Sequence, residues 1–302
     1  MASKVVYILF LILFVCCITI NYINFNYSTI YCELINLINE YFYDDPNNSG
    51  KEIPENLLSM YFPNNNCSSD EEKIIPGFIM LLKKLDEENF ESDEIVEYAS
   101  LWLSHKLNQK KQNRTTRLDE FYTNHIETNS CYKDNIDKTT DSKSNINKDV
   151  IEKKIRSMDI DIKDISNFYD AFKSLCNMYS EINVDDYPCN NCLENAGEFF
   201  ENCEKVKNVF DITKGSSYLQ LWLSLSKDYK NFESNYNSFV CNDGPPFVAC
   251  SRSSVTKNTL ISIAIIFVAA SILFGVSYKV NNKELKKKYY IYVNINEQPY
   301  DS

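Results

Sequence analysis

Residues 161–179 read DIKDISNFYDAFKSLCNMY, and the fold follows from how this stretch is read. Ile165, Phe168, Tyr169, Phe172, Leu175, Cys176 and Tyr179 sit at offsets 0, 3, 4, 7, 10, 11 and 14. That is the 3.6-residue period of an α-helix with a broad apolar stripe, not the alternation of a strand. The spacing predicts a core-facing helix over 163–181. If the stripe is core, Phe172→Ala leaves a cavity and costs about 3–5 kcal/mol.

The same period recurs on both sides. Ile30, Leu34, Leu37, Ile38, Tyr41 and Phe42 make one face, ended by Asp44 to Gly50. Phe78, Ile79, Leu82 and Leu85 make a second, with Pro76 near its first turn. A third helix begins at Ser92, with Asp93 and Glu94 in its first turn and Ile95, Ala99, Trp102, Leu103 and Leu107 inward. Thr115 or Thr116 opens a fourth, bearing Leu118, Phe121, Tyr122 and Ile126. Beyond the central stretch, Leu193, Ala196, Phe199, Phe200, Cys203, Val206 and Phe210 form one stripe. Tyr218, Leu221, Trp222, Leu225, Tyr229 and Phe232 form another, capped by Ser216 or Ser217. Leu101-Trp102-Leu103-Ser104 returns as Leu221-Trp222-Leu223-Ser224, a single echo too widely spaced for a solenoid repeat. Residues 133–149 are polar and aperiodic and read as a variable surface loop.

Composition agrees. The 302 residues hold only 6 Gly and 8 Pro, where average usage gives roughly 21 and 15. Glycine-rich phosphate loops and many-turned β-sandwiches are thereby disfavoured. The net charge of −11 removes the basic footprint that nucleic-acid binding needs.

Two apolar runs frame this body. Residues 5–20, VVYILFLILFVCCITI, follow Lys4 and read as a signal peptide or an N-terminal apolar anchor. Residues 260–278, LISIAIIFVAASILFGVSY, carry no charge and are long enough to span a bilayer. Lys279, Lys283, Lys286, Lys287 and Lys288 follow and place the tail, 279–302, in the cytoplasm. The expected order is a leader over 1–20, a helical ectodomain over 25–240, a stalk over 241–259, a transmembrane helix over 260–278 and the basic tail. The fold class is therefore all-α: a disulfide-containing helical ectodomain with one C-terminal transmembrane helix. Six of the basic and three of the acidic residues lie outside 25–257, so the body is near −14. Sequons at Asn26, Asn47, Asn66 and Asn113 are permissive of glycosylation. Tyr290-Ile291-Tyr292-Val293 has the form of a sorting signal, with a plain stop-transfer tail as the alternative.

Cys16 and Cys17 lie in the leader. The disulfide candidates are Cys32, Cys67, Cys131, Cys176, Cys189, Cys192, Cys203, Cys241 and Cys250. Nine is odd, so at least one thiol is free or pairs between chains. A zinc site built from Cys176, Cys189, Cys192 and Cys203 needs two tight pairs, and only Cys189-Asn190-Asn191-Cys192 is tight. A redox CxxC lacks its βαβ surroundings. The remaining reading is disulfides that tie two antiparallel helices across Pro188, with Cys176 a buried free thiol as the alternative. His105 and His125 are the whole histidine complement. Both read as surface residues, because neither they nor Cys131 has a third orienting group. No catalytic, cofactor-binding or metal site is expected, and no small-molecule substrate.

Several of these segments resemble one family. Residues 161–179, Cys189 to Ala196, Ile95 to Ser104, Leu118 to Tyr122 and Cys67 to Ile74 look like the Plasmodium interspersed repeat (PIR) proteins, the Cir/Yir/Bir variant antigens of rodent malaria parasites. The signature core on which the resemblance rests is Trp102, Phe168, Tyr169, Phe172, Leu175 and Cys176, with Trp222. The resemblance implies a helical ectodomain, a C-terminal span, and display on infected red cells or parasite membranes. It also implies a part in antigenic variation and immune evasion. The strong apolar opening segment and the short tail depart from the family pattern. The second reading is an adhesin that binds a host receptor through exposed helix faces.

Overall fold

The computed structural model describes residues 29–40, 74–110, 115–137, 144–182, 189, 192–209, 215–241 and 249–250. The two apolar runs, the sequons, Cys67 and most of the stalk lie outside these residues. Among the described residues, no helix is long and apolar enough to cross a membrane.

The chain folds as helices α1 (residues 29–40), α2 (Ile74–Glu87), α3 (Ser92–Gln109), α4 (Leu118–Phe121), α5 (Ser130–Tyr132), α6 (Lys148–Ser157), α7 (Ile162–Ile182), α8 (Glu194–Val209) and α9 (Gly215–Asn235). Three of them continue into a wider π-helical turn: Tyr122–Ile126 after α4, Lys133–Asp137 after α5 and Tyr236–Val240 after α9. No strand forms among the described residues. Two isolated bridges join Arg117 to Asp161 and Leu193 to Ala249.

α7 is the helix drawn from the opening stretch, and all seven of its stripe residues are buried. It lies between α3 on one side and α8 and α9 on the other. Every residue of α3 from Ile95 to Ser104 is buried. The expected one-sided face on this helix is corrected: α2, α6 and α7 enclose it. Polar residues on its other faces are therefore taken into the interior, where they need partners.

The two echoed segments consequently live differently. Leu103 and Ser104 are buried, whereas Leu223 is 51% exposed. Trp102 and Trp222 are both fully buried. The Trp102 indole N–H donates to Asn39 Oδ1 (3.1 Å), and Asn39 Nδ2 donates to the Tyr169 hydroxyl (2.8 Å). One tryptophan thus bridges α3 to α1 and, through Asn39, to α7.

Gly77 lets α2 approach this ring. A Cβ there would lie 2.3 Å from Trp102 Cη2. In an open helix, Gly→Ala gains about 1 kcal/mol of propensity. Here the ring is locked in the core, so overpacking at about 1–3 kcal/mol decides the sign. Gly77→Ala is expected to destabilise in urea unfolding; a gain in midpoint would show that the ring moves freely.

Two boundaries differ from expectation. The loop placed at 133–149 is tied down at both ends. Asn135 and Ile136 are buried at one end, with Asn135 Nδ2 donating to the Cys131 carbonyl (2.9 Å). At the other end Ile146 is buried, while Ser144 Oγ and Asn145 N donate to the Asp86 carboxylate at 2.7 and 2.8 Å. α6 then begins inside the assigned loop, capped by Asn147, whose side chain accepts from Val150 N. Within the assigned stalk, Cys250 N donates to the Leu193 carbonyl (2.9 Å) and Ala249 bridges Leu193, so residues 249 and 250 are held on the bundle.

Candidate functional site

Three disulfides are described: Cys32–Cys176, Cys189–Cys241 and Cys192–Cys250. Cys131 is disulfide-bonded as well. The expected pairing across Pro188 is corrected. Both cysteines of the CxxC reach forward to the segment after α9, and Cys176 reaches back to α1. Cys176 is therefore no free thiol. Among the described residues the free thiol is Cys203, a disulfide candidate by its sequence, buried in the stripe of α8. Burial pushes its thiol well above the ordinary range, which keeps it protonated and unreactive. The zinc reading fails on geometry, because Cys176, Cys189 and Cys192 are spent in three separate bridges. Among the described residues no group of three His, Cys, Asp or Glu is placed to hold a metal.

His105 corrects another expectation: it is half-buried between α3 and α7, not on the surface. Its ring stacks on Tyr169 at 4.2 Å. Nδ1 faces both Asp170 Oδ1 (3.2 Å) and Ser166 Oγ (3.4 Å), while Nε2 meets Gln109. A nucleophile relay needs serine and carboxylate on opposite ring nitrogens. Here both address Nδ1, so the three form an inter-helix clamp. His125 is exposed and stacks on Phe121 at 4.8 Å. Cys131, its neighbour in sequence, is oxidised.

The signature residues form the core. Phe168, Tyr169, Phe172, Leu175 and Cys176 are at most 3% exposed. Phe172 meets Tyr98 edge-on (5.7 Å, 82°), and Tyr98 stacks on Tyr31 of α1 at 4.0 Å. Phe168 packs on Tyr218 of α9, whose hydroxyl donates to the Val206 carbonyl of α8. Their spacing marked them in the sequence, but their role is structural.

Sequence reasoning missed a buried polar node beneath them. The Tyr98 hydroxyl donates to Asp228 Oδ2 (2.7 Å) across the α3–α9 contact. Beside it Lys154 of α6 pairs with Glu97 (2.7 Å), both mostly buried. Lys227 pairs with Glu94 at the rim. No motif announces this node, since its bonded pairs lie as many as 133 residues apart.

Burial pushes the Asp228 carboxyl up to about 7; the Tyr98 hydrogen bond and Lys227 oppose the rise, and Glu94 and Glu97 add to it. An unfolded carboxyl titrates near 3.9. The folded state thus binds the proton more tightly, and the stabilisation is complete below about pH 4 and lost as pH rises through 7. Between pH 8 and pH 6 this group alone should add about 1.4 kcal/mol. Asp228→Asn keeps an acceptor for Tyr98 and removes the titration. Urea midpoints for the variant should lose that pH-dependent increment and exceed the parent's at pH 8. Parallel profiles for both proteins would remove Asp228 from the account.

Comparison with known proteins fits this geometry. The family described as Plasmodium variant antigen protein Cir/Yir/Bir matches residues 32–279. Among solved structures, one described as the structure of a Plasmodium PIR protein ectodomain is similar at 33% identity and a TM-score of 0.57. The match covers 74% of this chain and 97% of that one. No curated protein matches. With the family match running over most of its length and a similar PIR ectodomain among solved structures, the chain belongs to the Plasmodium Cir/Yir/Bir variant antigen family.

Proposed function

We propose that this chain is a variant surface antigen displayed on infected red cells or parasite membranes, with the apolar run at 260–278 as its anchor and the basic tail in the cytoplasm. Its role is antigenic variation and immune evasion. The observation that carries this reading is the likeness to a PIR ectodomain along nearly that chain's whole length. The fate of the signature residues supports it. They are spent on packing, and the His105 and cysteine clusters are spent on clamps and bridges. These residues provide a stable platform for exposed, polar helix faces.

Antibodies raised against the folded ectodomain should label intact, unpermeabilised infected cells. Staining confined to permeabilised cells would overturn surface display. Saturable binding of recombinant residues 25–257 to red cells, leukocytes or endothelium would move the reading to a host-receptor adhesin.

A further inference from the structure

Both exits of the ectodomain lie at the same end of the bundle. α1 runs antiparallel to α7: Cys32 is bonded to Cys176, Asn36 accepts from Lys173 (2.6 Å), and Asn39 donates to Tyr169. The start of α1 therefore lies towards the C-terminal end of α7. The other exit is at that end too. Glu181, in the last turn of α7, accepts from the backbone N–H groups of Glu194 and Asn195 at 2.6 and 2.9 Å, which places the start of α8 there. Cys192, just before α8, is bonded to Cys250, and Leu193 bridges Ala249. Each exit is thus stapled within a few residues of where the described chain ends.

We propose that the apolar run at 5–20 is retained as a second anchor, so that the ectodomain stands on one lipid bilayer by both of its ends. The inference rests on the anchored-antigen reading and extends it. Reach makes the placement decisive. Eight residues, 21–28, join the run to α1, and eight extended residues reach at most about 26–29 Å. α7, with 21 residues, is about 31 Å long. Had α1 started at the other end, that linker could not have passed the bundle to the membrane. From the end where it does start, it need only descend. The linker on the other side, 251–259, is nine residues long and leaves from the same end.

The sequence of the run fits retention. At 16 residues without a break, it exceeds the length of about 7–15 of a cleaved leader's apolar region and comes within a residue of the roughly 17 used by the shortest spanning helices. Val15 and Cys17 are a poor approximation to the small-residue pair that cleavage uses. Lys4 precedes the run and the lysines 279–288 follow the other, so both charged flanks lie on one side of the membrane with the ectodomain opposite.

The test uses the full chain in membranes, with one site-specific protease sequence placed within 251–259 and a different one within 21–28. Cutting the first alone should leave the ectodomain in the carbonate-washed pellet, and cutting both should release it. Release by the first cut alone overturns the second anchor and leaves the antigen reading standing. Extraction of the uncut chain by carbonate overturns membrane anchoring itself. Mass spectrometry of the unaltered chain gives an independent readout. A terminus at Met1 or Ala2 is expected, and a new terminus near residue 18 would refute the proposal.

Discussion

Replacing Cys32 and Cys176 together by alanine is expected to lower the stability of the ectodomain by about 4–5 kcal/mol. The bridge joins residues 144 apart, and the entropy of closing a loop of that size gives about 5 kcal/mol when it constrains the unfolded chain. Other bridges shorten the effective loop, which is why the lower figure belongs in the range. The damage should begin at α1. Tyr31, Ile35 and Ile38 are buried, but the helix is short, and helices of 12–15 residues are marginal in water without tertiary support. Hydrogen exchange should show residues 29–40 opening first, and urea unfolding should give the total. A loss below about 1 kcal/mol would mean that α1 is held by packing alone.

The second large effect is expected at Phe172. Its ring is 2% exposed and lies edge-on to Tyr98, itself sandwiched towards Tyr31 and hydrogen-bonded to Asp228. Truncation to alanine should cost about 3–5 kcal/mol through lost burial and the cavity left behind. Because the cavity opens beside the Tyr98–Asp228 bond, Phe172→Ala and Asp228→Asn should not be additive; neighbours that share a partner couple by about 0.5–3 kcal/mol. A double-mutant cycle on the recombinant ectodomain measures this. Strict additivity would place the aromatic stack and the carboxylate in separate environments.

How much of this was legible in the sequence depended on period. Wherever apolar residues recur every three to four positions, the helix and its inward face were readable, as in α7, α8 and α9. α2 and α3 were readable as helices but not as enclosed ones: Ile74 to Leu82 is buried throughout, and in α3 Glu97, Ser100, Ser104 and Lys106 look like a solvated face until neighbours cover them. α6, KDVIEKKIRS, was hidden by its charge; only Ile151 and Ile155 enter the core. The odd cysteine count announced a free thiol, yet choosing Cys203 over Cys176 required knowing that α1 lies along α7. Pairing is a long-range property, and local pattern does not contain it. The Asp228 node was illegible for the same reason.

The bridge between α1 and α7 also sets a timetable. During synthesis from the N-terminus, at about 5–20 residues per second, Cys32 precedes its partner by 144 residues, a wait of roughly 7–30 s. Cys67 and Cys131 are made in the interval and can capture it first. In an oxidising compartment native pairing then requires early thiols to exchange partners with late ones, and disulfide reshuffling takes seconds to hours.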